Sequence, residues 1–318
     1  MKVLLLKITT FFIYLGSLFV YNFHKFIKGI KTEYNIRYGS KKSLKKSLNI
    51  YYKKDLLDQK KPIIIYFHGG GWTSYSKNIY TTLCRRYADL GFVVFNVNYR
   101  LAPKTKMEGI ISDCIEAVLF VKNNANKYNA DSSNIILAGD SAGAHISSYI
   151  ASIVYSKKFD KDQIGYVCKA KEQEVFKSLC EVAKGELNGG IKGLMLFYGV
   201  YDINTMLTSK FPNVQTYVNA VMNGKGKSKE ENAYFSPINY IDGNFPPCFI
   251  ASGEIDKLHI SQSVEFKHIL EEKGVKVQNL FFGKEELRAM HAYMVFDGLY
   301  TTEKTIEKSK EFLDEVLK

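Results

Sequence analysis

Short runs of β-branched and aromatic residues alternate with longer stretches of helical periodicity from residue 48 to the C-terminus, and this alternation leaves few folds open. Candidate strands fall at 48–52, 63–67, 92–98, 135–138, 193–198, 248–252 and 277–282. Most are continuous apolar runs without a polar face, the pattern of strands covered on both sides. Helical patterns at 80–90, 110–124, 145–155, 261–273 and 302–317 lie between or after them. The class is therefore α/β, with a mostly parallel central sheet flanked by helices. No internal repeat is present. The stretches 157–190 and 204–244, the latter with a loose run at 223–229, break the rhythm. Both read as insertions over the strand ends, where ligands of open α/β sheets bind.

Composition excludes several other classes. With 318 residues, 46 % hydrophobic and 24 % charged, the chain can bury a large core without disulfide or metal staples. Cys84, Cys114, Cys168, Cys180 and Cys248 are odd in number and never at C-x-x-C spacing, so free thiols are expected. No H-E-x-x-H or EF-hand pattern occurs, and neither a metal nor a cofactor is expected. The net charge of +12 is lopsided: residues 1–61 carry +11 and the remainder +1. Nucleic acid is therefore not the expected partner.

The basic leader points to a membrane instead. No charge falls between Lys7 and His24, a run of 16 residues, and residues 1–23 read as an uncleaved membrane anchor. A cleaved signal peptide, and hence secretion, is the alternative. Residues 24–47 then form a basic juxtamembrane or cap segment, with His24 at the interface, and 48–318 the main domain. The flanking lysines outnumber Lys2 and Lys7, which favours a cytosolic flank unless some of them belong to the folded domain.

The reactive residues lie at strand ends. Gly139-Asp140-Ser141-Ala142-Gly143 joins the strand at 135–138 to the helix at 145–155, a sharp turn that needs Gly139 and Gly143 and pushes the Ser141 hydroxyl outward. His68-Gly69-Gly70-Gly71-Trp72 ends the strand at 63–67. Its glycines let backbone N–H groups approach a ligand and, with the N–H of Ala142, hold a developing oxyanion. A serine nucleophile needs a base and an orienting acid. His291, in a loop after the last strand, is preferred as base over His259 and over His268, which sits in a charged helix. Asp256, off the strand at 248–252, is preferred as acid, with Asp202 as rival and Glu254 third. His145 reads as a packed helix residue and His68 as a brace for its own glycine loop.

These residues together give the chain a resemblance. His68-Gly69-Gly70-Gly71-Trp72, Tyr99-Arg100-Leu101-Ala102-Pro103, Gly139-Asp140-Ser141-Ala142-Gly143, Phe235-Ser236-Pro237, Ser252-Gly253-Glu254-Ile255-Asp256 and His291 resemble the hormone-sensitive-lipase-like, arylacetamide-deacetylase-like carboxylesterases of the α/β-hydrolase fold. The resemblance implies Ser141 as nucleophile, His291 as base, Asp256 as acid, and Gly70, Gly71 and Ala142 as oxyanion donors, with Gly69 conformational. It also implies a helical cap from 22–46 and 157–190. The implied activity is hydrolysis of short or medium acyl or acetyl esters through an acyl-enzyme. Trp72, Tyr75, Tyr198, Tyr201 and Phe235 would suit an apolar acyl or aryl group. Formamidases, amidases and prenylcysteine methylesterases share part of the pattern and are the alternative. A non-catalytic receptor on the same scaffold would lack the histidine that is present here. The family's Pro-Leu after the acid is Lys257-Leu258 in this chain, and its Gly-Phe after the histidine is Ala292-Tyr293.

Overall fold

A computed structural model describes residues 27–39, 43–53, 59–167 and 171–318. The anchor expected at 1–23, His24 and Cys168 lie outside the described residues. Within them, the period-2 side-chain alternation of strands sorts apolar residues onto two covered faces of one sheet. The sheet has eight strands in the order β1-β2-β4-β3-β5-β6-β7-β8. They are β1 (Ile30–Arg37), β2 (Ser47–Lys53), β3 (Lys61–Phe67), β4 (Val93–Val97), β5 (Ala130–Asp140), β6 (Ile191–Phe197), β7 (Cys248–Gly253) and β8 (Val277–Phe282). β1 and β2 are antiparallel to their neighbours, and β4 through β8 run parallel.

Ile63, Ile65, Phe67, Leu137 and Leu196 face one core. The helices α2 (Met107–Asn124), α3 (Ala142–Tyr155) and α9 (Glu265–Glu272) pack on that side. Ile64, Tyr66, Ala138 and Phe197 face the other, under α1 (Thr81–Asp89) and α10 (Tyr300–Val316). The described cysteines are free and buried. Among the described residues no helix is long and apolar enough to cross a membrane.

Two expectations from sequence need correction. Residues 30–37, read as part of a basic cap segment, instead form the edge strand β1, paired with β2. Lys46 belongs to the fold: it is 9 % exposed and paired with Asp113 and Glu116. The described residues of 157–190 do not line the pocket that holds Ser141. The helices of this stretch are α4 (Ile164–Val167) and α5 (Gln173–Leu187), and α5 buries Phe176, Cys180, Ala183 and Leu187 against the α2 and α3 layer. Arg100 ties that insertion down, gripping Asp113 at 2.8 Å and Glu172, just before α5, at 2.8 Å.

Candidate active site

The turn out of β5 explains its own sequence. The chain leaves the strand at Asp140, passes through Ser141 at φ 51° and ψ −115°, and enters α3 at Ala142. Such a positive φ is strained for a residue with a side chain and persists only where neighbours enforce it. A Cβ on Gly139 would stand 2.5 Å from the Gly143 carbonyl carbon, and one on Gly143 would collide with the Phe67 carbonyl oxygen. Only glycine fits either position, so α3 starts hard against β3. The Ser141 N–H donates to the Phe197 carbonyl at 2.9 Å, which pins the turn to β6.

His291 and Asp256 reach this serine from two loops. His291 Nε2 lies 2.9 Å from Ser141 Oγ, and Nδ1 lies 2.7 Å from Asp256 Oδ2. A carboxylate only accepts, so Nδ1 carries the proton and Nε2 is left to accept from the serine hydroxyl. Burial opposes charge on the imidazole, but the Asp256 charge and hydrogen bond, with the Asp140 charge, outweigh it and raise the His291 pKa above 6.5. Burial likewise works against the Asp256 carboxylate. The His291 charge and hydrogen bond, with the Leu258 N–H at 3.0 Å, hold its pKa below 3.8. Ala292 has a left-handed φ of 70°.

The loop after β3 supplies donors. Gly70 and Gly71 have φ of 101° and 57°, a course that glycine follows without strain. Among the described residues no group accepts from the backbone N–H of Gly70, Gly71 or Ala142, and all three residues line one pocket with Ser141 and His291. His68 donates from Nδ1 to the Gly69 carbonyl at 2.7 Å and stacks on Tyr99 with ring centroids 4.3 Å apart. It braces its own loop. Asp140 does the same from beneath, and the sequence reading passed over it. Its buried carboxylate accepts from the Gly69 N–H at 2.9 Å, Tyr66 at 3.1 Å and Tyr80 at 2.8 Å. Burial pushes its pKa up to about 6 in spite of these donors. A charged residue soon after the apolar run 135–138 was the available signal.

The remaining candidates have other tasks. Asp202 caps α6 (Ile203–Thr208), its carboxylate accepting from the Asn204 N–H at 2.9 Å. Glu254 is exposed. His259 shares a hydrogen bond with Ser252 Oγ at 2.6 Å, and His268 is solvated beside Glu272. His145 donates to the Phe235 carbonyl at 2.7 Å. Burial brings the His145 and His68 pKa values down to about 4, so both are neutral at pH 7.

The pocket wall comes from the second interruption of the alternation. Val200, Met206, Phe211 and Tyr217 close a cavity of about 110 Å³ with Trp72 and Tyr75. Met206 lies on α6 and Tyr217 on α7 (Val214–Val221). The Phe211 ring meets His291 at 4.7 Å, and Tyr217 covers Gly71 so closely that a Cβ there would strike its ring. Tyr198 touches His291 at 5.1 Å. Tyr201 and Phe235, expected near the site, are core residues: Tyr201 stacks on Phe266 at 3.9 Å and Phe235 packs on Tyr149 at 5.8 Å. A larger hollow of about 430 Å³, lined by Arg86, Asp297 and Glu303, lies apart from this chemistry. There Arg86 is already paired with both acids.

Residues 48–270 match the BD-FAE family. Esterase LipQ of Mycobacterium tuberculosis is 26 % identical over 235 residues, covering 71 % of this chain and 50 % of LipQ. Carboxylesterase NlhH of the same species is 37 % identical over 93 residues, 29 % of each chain. The chain spans about half the length of the curated relatives that it matches over most of its own length. Esterase B from Lactobacillus Rhamnosis (HN001) superposes with a TM-score of 0.82 at 19 % identity, covering 98 % of this chain and 93 % of that one. An esterase from Pyrobaculum calidifontis gives 0.70 at 20 % identity over 99 % and 93 %. At such identities the likeness carries the fold. The chain belongs to the BD-FAE family, and its fold is the α/β-hydrolase fold of the hormone-sensitive-lipase-like branch.

Proposed function

We propose that the protein is a serine carboxylester hydrolase acting on esters of short acyl groups. The observation that carries this reading is the unbroken relay from Ser141 through His291 to Asp256, at 2.9 and 2.7 Å, opening into a pocket with three unused backbone N–H groups. Ser141 Oγ attacks the ester carbonyl as His291 Nε2 takes its proton, and the N–H groups of Gly70, Gly71 and Ala142 hold the oxyanion. Collapse returns that proton to the departing alcohol and leaves an acyl-serine. Water, deprotonated by the same nitrogen, then releases the acid. Each oxyanion donor supplies about 3 kcal/mol of transition-state stabilisation.

The names of the esterase relatives support the reaction class. The size of the pocket supports short chains, since about 110 Å³ is well under the roughly 300–1,000 Å³ of ordinary ligand clefts. Membrane attachment through residues 1–23 is part of the proposal and rests on the uncharged run between Lys7 and His24. A fluorophosphonate tests the chemistry: mass spectrometry should find one adduct, on Ser141, and none in His291→Ala at the same exposure. An unlabelled wild-type Ser141 would contradict the reading.

A further inference from the structure

A buried side-chain amide has two donor and two acceptor positions to satisfy. Gln262, fully buried, satisfies all four within one short stretch of chain. Its Oε1 accepts from the N–H groups of Tyr201 at 2.7 Å and Asp202 at 2.9 Å. Its Nε2 donates to the Asp202 carbonyl at 3.0 Å and to Thr205 Oγ1 at 2.9 Å. The next two N–H groups are also held by side chains, Ile203 by Ser236 Oγ and Asn204 by the Asp202 carboxylate, each at 2.9 Å. The N–H groups of residues 201–204 are thus all held by side chains instead of by a sheet or helix ladder.

Gln262 belongs to the π-helical turn His259–Val264, which begins three residues after Asp256. Insertions of this kind re-aim side chains and cluster at functional sites. The backbone continues the link, because the Gln262 N–H donates to the Leu258 carbonyl at 2.9 Å and the Leu258 N–H donates to the Asp256 carboxylate at 3.0 Å. On the other side, the stretch held by Gln262 is flanked by Val200 and Met206 and runs on to Phe211, all in the pocket wall. We infer that Gln262 is a positioning residue that sets the acyl-pocket wall against the Asp256–His291 pair and so fixes which acyl chain lengths are accepted. It touches neither pocket nor reacting atoms, and it acts through the 201–205 stretch. This inference rests on the proposed esterase activity.

The test uses the full chain with Gln262→Glu, which keeps the acceptor for Tyr201 and Asp202 and loses at least one donor, and Gln262→Met, which loses both functions. The kcat and KM of each are measured on acetyl, butyryl and octanoyl p-nitrophenyl esters, beside fluorophosphonate labelling and thermal melting. The expected result is a rise of about tenfold in the octanoyl-to-acetyl ratio of kcat/KM, carried mainly by KM, with Ser141 still labelled. The Glu variant decides the matter if the Met variant does not fold. A folded variant that melts earlier but keeps the wild-type ratio would overturn the inference, leaving Gln262 a structural residue. Wild-type protein that neither labels nor turns over any ester would instead defeat the esterase reading itself.

Discussion

Protonation of His291 decides whether the Ser141 hydroxyl has an acceptor. Because Asp256 and Asp140 raise its pKa above 6.5 against the effect of burial, kcat/KM falls on acidification through that raised value, earlier than a free imidazole would dictate. Asp256→Asn removes the nearest negative charge, so the acid limb moves to lower pH while kcat drops about 10³–10⁴-fold. A pH–rate profile of both proteins checks the two effects together, and an unmoved limb counts against the pair. Asp202→Ala removes a helix cap worth about 1 kcal/mol, which denaturant unfolding will register, with far less effect on kcat. The reverse outcome would transfer the acid role to Asp202. The candidate triad was legible because each member follows a strand, in the order serine, acid, histidine. Asp140 was not, because its value lies in Gly69, Tyr66 and Tyr80, which close on it only in three dimensions.

Among the elements, the junction of β5 and α3 tolerates least. Gly143→Ala would drive a methyl group into the Phe67 carbonyl and force α3 away from β3. A loss of about 3 kcal/mol or more in denaturant unfolding, with little fluorophosphonate labelling, is expected. Retained stability and labelling would mean that the helix yields more readily than its packing implies. Seven of the strands were readable from the sequence, most of them as apolar runs because helices cover both faces of the sheet. β1 was hidden because an edge strand with exposed Lys31 and Asn35 and half-buried Thr32 and Glu33 carries no such run. The amphipathic pattern of α5 announced that Phe176 and Leu187 pack somewhere, but periodicity does not say against what. The described residues of 157–190 do not line the pocket, whose wall comes from Met206, Phe211 and Tyr217.

For the whole molecule, residues 1–61, which include β1 and β2, carry +11, and the rest of the chain is nearly neutral. The proposed anchor predicts that carbonate washing leaves the full chain in the membrane fraction, whereas a chain beginning at Ile27, with β1 intact, is released. Full-length protein recovered in the wash would remove the anchor from the account. The fold class could be read along the whole body because alternation of strands and helices is a property of the entire chain. Pocket size could not, since it depends on how 200–217 folds back over Gly71 and His291. The most direct test of the central claim is hydrolysis of p-nitrophenyl esters from acetyl to dodecanoyl by the wild type and Ser141→Ala. Turnover best on the short esters, and a loss on the order of 10³-fold or more in the variant, are expected. Equal rates in the two proteins, or no hydrolysis of any ester by the wild type, would contradict that claim.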